Sequence, residues 1–203
     1  MRERPILFST PMVQAILSGR KTQTRRVMQV QPATAEQRFT TNLDSTGSDA
    51  RKIRGKHQWA TFYPDSYRIK DQSDYFSSPY GYDGDRLWVR ETYSLSGKKC
   101  IYRADHDLEI LSWKPSIFMP RKYSRLLLEI TNIRVERLND ISEEDAIAEG
   151  CLGLHLQYLD DAPQKFLPPQ EHFAHVWDEI NGKKGFTWAT NPFVWVIEFR
   201  RVE

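Results

Sequence analysis

The sequence contains few cysteines and no long apolar run. Among its 203 residues only Cys100 and Cys151 are cysteines, which is too few for a disulfide framework and typical of a reducing compartment. The longest unbroken apolar stretch runs from Phe193 to Ile197, whereas a helix needs roughly 20 apolar residues to span a bilayer. Residues 1–13 carry charge but no apolar segment followed by a small-residue cleavage site. We therefore expect a cytoplasmic protein that is neither exported nor associated with membranes.

Glycine-rich signatures of common enzyme classes are also missing. The chain has no phosphate-binding GxxxxGK[ST] loop, no dinucleotide-binding GxGxxG fingerprint and no GxSxG nucleophile elbow. It does contain six Trp, nine Tyr and ten Phe, bulky side chains that can fill a core and that argue against a disordered chain. The length fits one domain covering residues 1–203.

The net charge of +2 conceals an uneven distribution of charges. Residues 1–30 contain six Arg or Lys against one acid, and residues 51–70 also contain six against one. Residues 136–180, by contrast, contain eleven acids against two basic residues. The stretch 51–70 includes Trp59 and Tyr63, and cations interleaved with aromatic rings suit a nucleic-acid surface. The alternative is that the two signs of charge face each other in the fold.

The pattern of apolar and turn-forming residues predicts an α+β fold built on a small, mostly antiparallel β-barrel with a few flanking helices. The predicted helices run from Ser9 or Thr10 to Gly19, from Ser142 to Gly150, and along the apolar positions Phe173, Val176, Trp177 and Ile180 up to the Asn181-Gly182 stop. The predicted strands cover residues 6–8, 86–92, 100–103, 125–130, 133–138 and 193–201, with 100–103 pairing to 86–92.

The last strand is apolar on both faces and should therefore lie in the centre of the sheet. Residues from about 31 to 80 are polar and form an insertion within the single domain.

Three motifs follow one another in a characteristic order. They are GRKTQTRR at residues 19–26, GDRLWVRE at 84–91 and AIAEG at 146–150, followed by the aromatic-rich final strand. In this order they resemble the ASCH domain family, which is related to the PUA RNA-binding barrel. The resemblance extends over nearly the whole chain except the insertion and residues 152–169, and it is strongest to the longer members found in phages and prophages.

The resemblance implies a cationic cleft beside the first helix that binds RNA or a modified pyrimidine nucleoside. Some small bacterial members are N4-acetylcytidine amidohydrolases that use a Lys, a Thr three residues later and a Glu from the AxxEG segment. The matching residues here are Lys21, Thr24 and Glu149. Other members bind or cleave RNA, so a non-catalytic RNA-binding module and a ribonuclease are alternative functions. No cofactor and no obligatory protein partner is expected.

Amide hydrolysis requires a nucleophile, a base and an acid for the leaving amine. Thr24 can supply the hydroxyl, and Lys21 can act as base if desolvation or neighbouring arginines lower its pKa. Glu149 must then be protonated, which burial favours and nearby cations oppose. The alternative is that Lys21 and Glu149 form an ion pair that locks the helix to the strand, with Thr24 an ordinary strand hydroxyl.

Further cations are candidates for contacts to substrate or nucleic acid, because guanidinium and ammonium groups bind phosphates. They are Arg20, Arg25, Arg26, Arg86, Arg90, Lys52, Arg54 and Lys56. Cys151, His155, His172 and His175 form a competing set with the ligand types that zinc prefers. Their long separation and the apolar face of the helix at 172–175 argue against it, so we predict no metal site.

Overall fold

The computed structural model describes residues 1–33, 38–41, 56–62, 69–72, 76–106, 112–156 and 165–202. The architecture of these residues is α+β, as predicted. Their α-helices are α1 (Thr10–Leu17), α2 (Glu143–Ala148) and α3 (Pro169–Asn181). Their strands are β1 (Glu3–Leu7), β2 (Gln23–Val27), β3 (Arg38–Thr41), β4 (Lys56–Phe62), β5 (Ile69–Gln72), β6 (Phe76–Ser77), β7 (Arg86–Arg90), β8 (Tyr93–Ser96), β9 (Lys99–Tyr102), β10 (Leu127–Arg137), β11 (Leu154–Leu156), β12 (Lys165–Leu167) and β13 (Phe193–Arg201).

The main sheet has five strands in the order β1-β7-β10-β13-β2. The pair β1–β7 is parallel and the other three pairs are antiparallel, so the sheet is mostly antiparallel as predicted. No pairing within the described residues joins β1 to β2, and the predicted closure into a barrel is therefore not seen in this part of the chain.

The final strand, β13, is an interior strand of the main sheet. It pairs with β10 on one side and β2 on the other. Trp195, Ile197 and Phe199 pack into one apolar cluster, and Val194 and Val196 pack into a second cluster on the opposite face. Burial of each such side chain contributes about 1.5–3 kcal/mol. The prediction of a central, two-faced strand is confirmed.

The helix boundaries follow their sequence signals. Ser9 occupies the N-cap of α1 in an extended conformation, and the Ser142 side chain accepts a hydrogen bond from the Asp145 N–H at the start of α2 (3.1 Å). Helix α3 begins at Pro169, four residues before its first predicted apolar position. Ile180, predicted to be buried, is 41% exposed, because the packed face of α3 ends one turn earlier, at Trp177.

Two strand predictions are wrong in detail. The predicted strands 125–130 and 133–138 are one continuous strand, β10, in which an irregularity in register between Ile130 and Asn132 carries the pairing across the polar break. Strand β9 pairs with β8 rather than with β7. Gly97, at φ +60°, forms the two-residue turn between β8 and β9, and such a short turn forces neighbouring strands to pair.

The described residues of the polar stretch from about 31 to 80 include strands and core residues. Strands β3, β4, β5 and β6 form a separate four-stranded sheet. Trp59 on β4 is buried, its ring centroid lies 4.6 Å from that of Phe193, and its indole N–H donates to the Val30 carbonyl (3.0 Å). A further hairpin is formed by β11 and β12. None of the helices in the described ranges has the length and apolar character needed to span a bilayer.

Candidate functional site

A close approach of α2 to the turn after α1 brings Glu149 to Lys21. The backbone N–H of Lys21 donates to the Ala15 carbonyl (3.0 Å), and that of Thr22 donates to the Ala148 carbonyl (2.9 Å). Gly150 has φ +95°, and a Cβ there would lie 3.1 Å from Ala15 Cβ and 3.6 Å from Lys21 Cβ. Glycine at this position therefore permits both the helix stop and the contact.

Lys21 and Glu149 form a buried ion pair. Lys21 Nζ donates to Glu149 Oε2 at 2.7 Å and to the Glu149 backbone carbonyl at 2.8 Å. The two side chains are 0% and 4% exposed. The predicted juxtaposition of these two residues is thus present, and the contact is the one that the alternative of a structural lock also requires.

The environment of Lys21 lowers the pKa of its ammonium group. Burial lowers the pKa of the Lys21 ammonium, and the positive charge of Arg26 lowers it further, while Glu149 opposes both effects. The shift is in the direction that a general base requires.

Arg25 adds a second buried cation to the cluster. Its Nη2 donates to Asp145 Oδ2 (2.6 Å) and Glu136 Oε2 (2.9 Å), and its Nη1 lies 3.5 Å from Glu149 Oε1. Among the described residues, Arg25 Nε, Arg25 Nη1 and Glu149 Oε1 have no hydrogen-bond partner although all three atoms are buried. The cluster therefore contains donors and an acceptor that the described protein groups leave unsatisfied.

Opposite charges from distant segments meet in this region. Arg134 donates to Glu136 and Glu198 and lies 2.9 Å from Asp145 Oδ2. Together with the contacts of Lys21 and Arg25 to Glu149, Glu136 and Asp145, these contacts show that part of the basic N-terminal stretch faces the acidic stretch, which is the alternative that the charge pattern left open.

Thr24 is buried on β2 opposite Ile197. Successive residues of a strand point to opposite faces, so Thr24 shares a face with Arg26, whose guanidinium carbon lies 5.1 Å from the Phe8 ring centroid. Lys21 Nζ lies 5.8 Å from the same ring. The three predicted catalytic residues thus lie around the β2 edge of the sheet, with Lys21 and Thr24 toward Phe8.

Phe8 and Arg26 also line a cleft. It has a volume of about 1020 Å³ and runs beside the first turn of α1. Its lining includes four residues that can carry positive charge, Arg26, Arg103, His106 and Lys184. Arg26 also donates through Nη2 to the Leu7 carbonyl (2.6 Å). The cleft lies beside the first helix, which is where the family resemblance implies a cationic cleft.

The other predicted contact residues are dispersed. Arg20 is exposed and donates to Ser18 Oγ (3.0 Å), and Arg86 and Arg90 lie on β7. Lys52 and Arg54 lie outside the described residues, as does the side chain of Lys56 on β4.

For the zinc alternative, the described residues contain no group of three or more His, Cys, Asp or Glu side chains able to hold a metal, and the side chain of His155 lies outside them.

Sequence reasoning missed the carboxylates that anchor Arg25. Glu136 and Asp145 belong to the acidic stretch, but their partner lies more than 100 positions earlier. Only the folded chain brings Asp145 of α2 and Glu136 of β10 to Arg25 on β2, so no local signal in the sequence indicates these contacts.

No family model matches the chain, and no curated protein matches it. Two similar solved structures are a DUF984 protein from Enterococcus faecalis V583 and an ASCH domain from Lactobacillus crispatus JV V101. The first is 14% identical with a TM-score of 0.36, and the match covers 93% of this chain but just under two-thirds, 65%, of that protein. The second is 12% identical with a TM-score of 0.40, and the match covers 99% of this chain and 80% of that one.

Proposed function

We propose that the protein hydrolyses the N4-acyl amide of a modified cytidine, with Lys21 as base, Thr24 as nucleophile and Glu149 as acid. The observation that carries the proposal is the buried contact of 2.7 Å between Lys21 Nζ and Glu149 Oε2, made by an ammonium whose pKa is lowered by burial.

The transfer of one proton within the ion pair produces both the base and the acid that the reaction needs. If it moves from Lys21 Nζ to Glu149 Oε2, the pair becomes a neutral amine and a neutral carboxylic acid with no change in net charge. Burial lowers the pKa of the Lys21 ammonium, which favours the loss of this proton from Nζ. The requirement for a deprotonated Lys21 together with a protonated Glu149 is then met by a single transfer across an existing hydrogen bond.

The reaction proceeds in two balanced halves. Thr24 Oγ1 attacks the acyl carbonyl while neutral Lys21 takes its proton, and the carbon–nitrogen bond breaks as Glu149 protonates N4. Cytidine leaves and the acyl group stays on Thr24 as an ester. Water then attacks the ester carbonyl and gives a proton to Glu149, and Thr24 leaves with the proton from Lys21. The products are cytidine and a carboxylic acid, and the pair returns to its neutral form.

Substrate reaches the cluster from the cleft in this mechanism. Lys21, Thr24 and Glu149 are almost fully buried, and Phe8 and Arg26 line the cleft in front of them. Entry therefore requires Arg26 to exchange its bond to the Leu7 carbonyl for one to the substrate, which suits a guanidinium that can bind a pyrimidine carbonyl or a phosphate.

A non-catalytic RNA-binding module is the second candidate. It is favoured by the cationic side chains that line the cleft and by the ion pair, which can serve as a structural lock. In that case the cleft binds RNA with a steep dependence on salt and the cluster does no chemistry.

The test is to incubate the protein with N4-acetylcytidine and, separately, with a mixed RNA pool, and to identify the products by mass spectrometry. The parent is compared with Lys21→Ala and with Lys98→Ala, a control at an exposed turn lysine. We expect the parent and the control to release cytidine and Lys21→Ala to lose at least about 100-fold in rate, since general base catalysis contributes about 10²–10⁴.

RNA fragments that disappear with Lys21→Ala would instead indicate a ribonuclease. Binding of RNA without any product would indicate a recognition module and remove the catalytic assignment.

A further inference from the structure

A row of alternating arginines and an aromatic ring lies on the outer face of β7. Leu87 and Val89 point into the core and are buried, whereas Arg86, Trp88 and Arg90 point to the other face and are partly exposed. This surface, which we call the β7 face, lies on the side of the sheet opposite the main apolar cluster.

Trp88 is flanked by two guanidinium groups. The guanidinium carbon of Arg90 lies 5.5 Å from the Trp88 ring centroid, and that of Arg121 lies 6.0 Å from it. Cations at these distances are attracted to the face of an indole ring. The β7 face thus presents an indole ring with guanidinium groups over it, and a base that stacks on Trp88 takes the place of one of them.

The positive charge of this face exceeds its negative charge. Within the described parts of the chain, the side chains of Arg86 and Arg90 make no hydrogen bond or ion pair, and the Nε atoms of both are buried without a partner. The two nearby glutamates are already engaged, Glu3 by Arg121 (2.9 Å) and Glu129 by Arg200 (2.8 Å). Arg86 lies between these two glutamates in register and interacts electrostatically with Glu3, but neither Arg86 nor Arg90 has an ion-pair partner of its own among the described residues.

The β7 face adjoins the cleft. Leu7, at the end of β1, pairs with Arg90 in register, is 40% exposed and also belongs to the cleft lining. The backbone N–H of Phe8 donates to the Arg90 carbonyl (3.1 Å). A ligand that extends along β7 past Arg90 therefore arrives at the mouth of the cleft.

We propose that the β7 face binds a single-stranded nucleic acid, with a base stacked on Trp88 and phosphates held by Arg86 and Arg90. The two arginines are four residues apart on one strand, about 13 Å at 3.3 Å per residue, which leaves room for a base plane between two phosphate contacts. A duplex keeps its base faces inside the stack, so only a single strand offers a base to Trp88.

The bound nucleic-acid strand places its next nucleotide in the cleft. This point, unlike the binding itself, rests on the proposed function. A substrate cytidine would then be presented within a polymer rather than as a free nucleoside.

The test is fluorescence anisotropy with fluorescein-labelled oligouridine and oligothymidine of about 12 nucleotides, within the usual range of single-strand site sizes. The variants are the double substitution Arg86→Gln/Arg90→Gln and the single substitution Trp88→Leu. The matched control is Lys98→Gln/Lys99→Gln, which removes two exposed cations at the β8–β9 turn. Thermal melts of each variant verify folding.

We expect a shallower dependence of binding on salt in the arginine variant. The negative slope of log K against log salt should shrink in magnitude by about 1.4, since each phosphate contact on a single strand contributes about 0.7. Trp88→Leu should weaken binding about 5-fold to 150-fold, the effect of losing one stacked base. The control should bind like the parent. Oligodeoxyuridine, which lacks the thymine methyl group, shows whether a preference between the two oligonucleotides comes from the sugar and so identifies the strand as RNA or DNA.

Failure of the parent to bind either oligonucleotide would overturn the proposal, as would an arginine variant that binds as tightly as the parent. If the arginine variant and the lysine control lost the same affinity for the oligonucleotide, the net charge of the protein would explain the loss, and the proposal would also be overturned. Binding is measured without turnover, so the absence of hydrolysis would leave this result intact, and hydrolysis of the free nucleoside would survive the failure of this proposal.

Discussion

Replacing Lys21 by methionine tests how much the buried ion pair contributes to stability. Methionine retains the unbranched aliphatic stem and removes the charge. Among the described residues, the Glu149 carboxylate, 4% exposed, then keeps Arg25 Nη1 at 3.5 Å as its ion-pair contact. Removing one partner of a buried pair costs about 3–5 kcal/mol, because the remaining charge is uncompensated. In a protein of this size each kcal/mol lowers Tm by about 2–4 °C, so we expect a drop of roughly 6–20 °C.

The double variant Lys21→Met/Glu149→Leu distinguishes a coupled pair from two independent residues. An apolar replacement of both partners is often neutral, so the double variant should be more stable than Lys21→Met alone. Urea unfolding of the parent, the two single variants and the double variant gives the coupling energy.

Single variants that each cost less than about 1 kcal/mol, or costs that simply add, would refute the reasoning.

The stability of the parent and of Lys21→Met should depend on pH in different ways. The pKa of Lys21 is lowered in the folded state from its ordinary value of 10.5, so the unfolded chain binds more protons between the two values and stability rises with pH there. The cost of burying the ammonium is fully present below the folded pKa and disappears toward pH 10.5. We expect this rise in the parent and its absence in Lys21→Met.

Three further predictions concern the surrounding fold. Ser142→Ala removes the cap on the Asp145 N–H and should cost about 1 kcal/mol in urea unfolding, whereas an unchanged midpoint would contradict the role of the cap. Gly150→Ala forces a side chain into a backbone of φ +95° and to within 3.1 Å of Ala15 Cβ, and should lower Tm. His57→Phe should lose less stability than the parent as pH falls from 6.5, because burial lowers the pKa of His57 to about 4 and the unfolded chain binds the proton first. Parallel pH profiles would refute this.

Much of the fold was predictable because its signals are local. The Ser142 cap with its following acids, the Gly150 stop and the two-faced apolar pattern of 193–201 each fixed an element. The pairing of β9 with β8 was missed, because it depends on a two-residue turn at Gly97 rather than on strand composition. The core position of Trp59 was missed because the residues around it are polar, and its burial depends on contacts with distant residues such as Phe193.

Site residues that belong to a sequence motif were predictable, whereas contacts that depend on the folded arrangement of distant segments were not. Lys21 and Glu149 lie together as the motifs indicated. The engagement of Arg25 with Glu136 and Asp145 could not be inferred from the sequence, because α2 and β10 reach β2 only in the folded chain. Arg25 resembles a surface cation in the sequence and is fully buried in the structure.

The most direct test of the proposed hydrolase is to look for the acyl group on the protein. The parent is mixed with N4-acetylcytidine, quenched in acid within a single turnover, digested and analysed by peptide mass spectrometry. The mechanism predicts an acetyl group on Thr24, absent in Thr24→Val and in Lys21→Ala. Cytidine release without acetylation of Thr24, or an acetyl group on Lys21 instead, would contradict it.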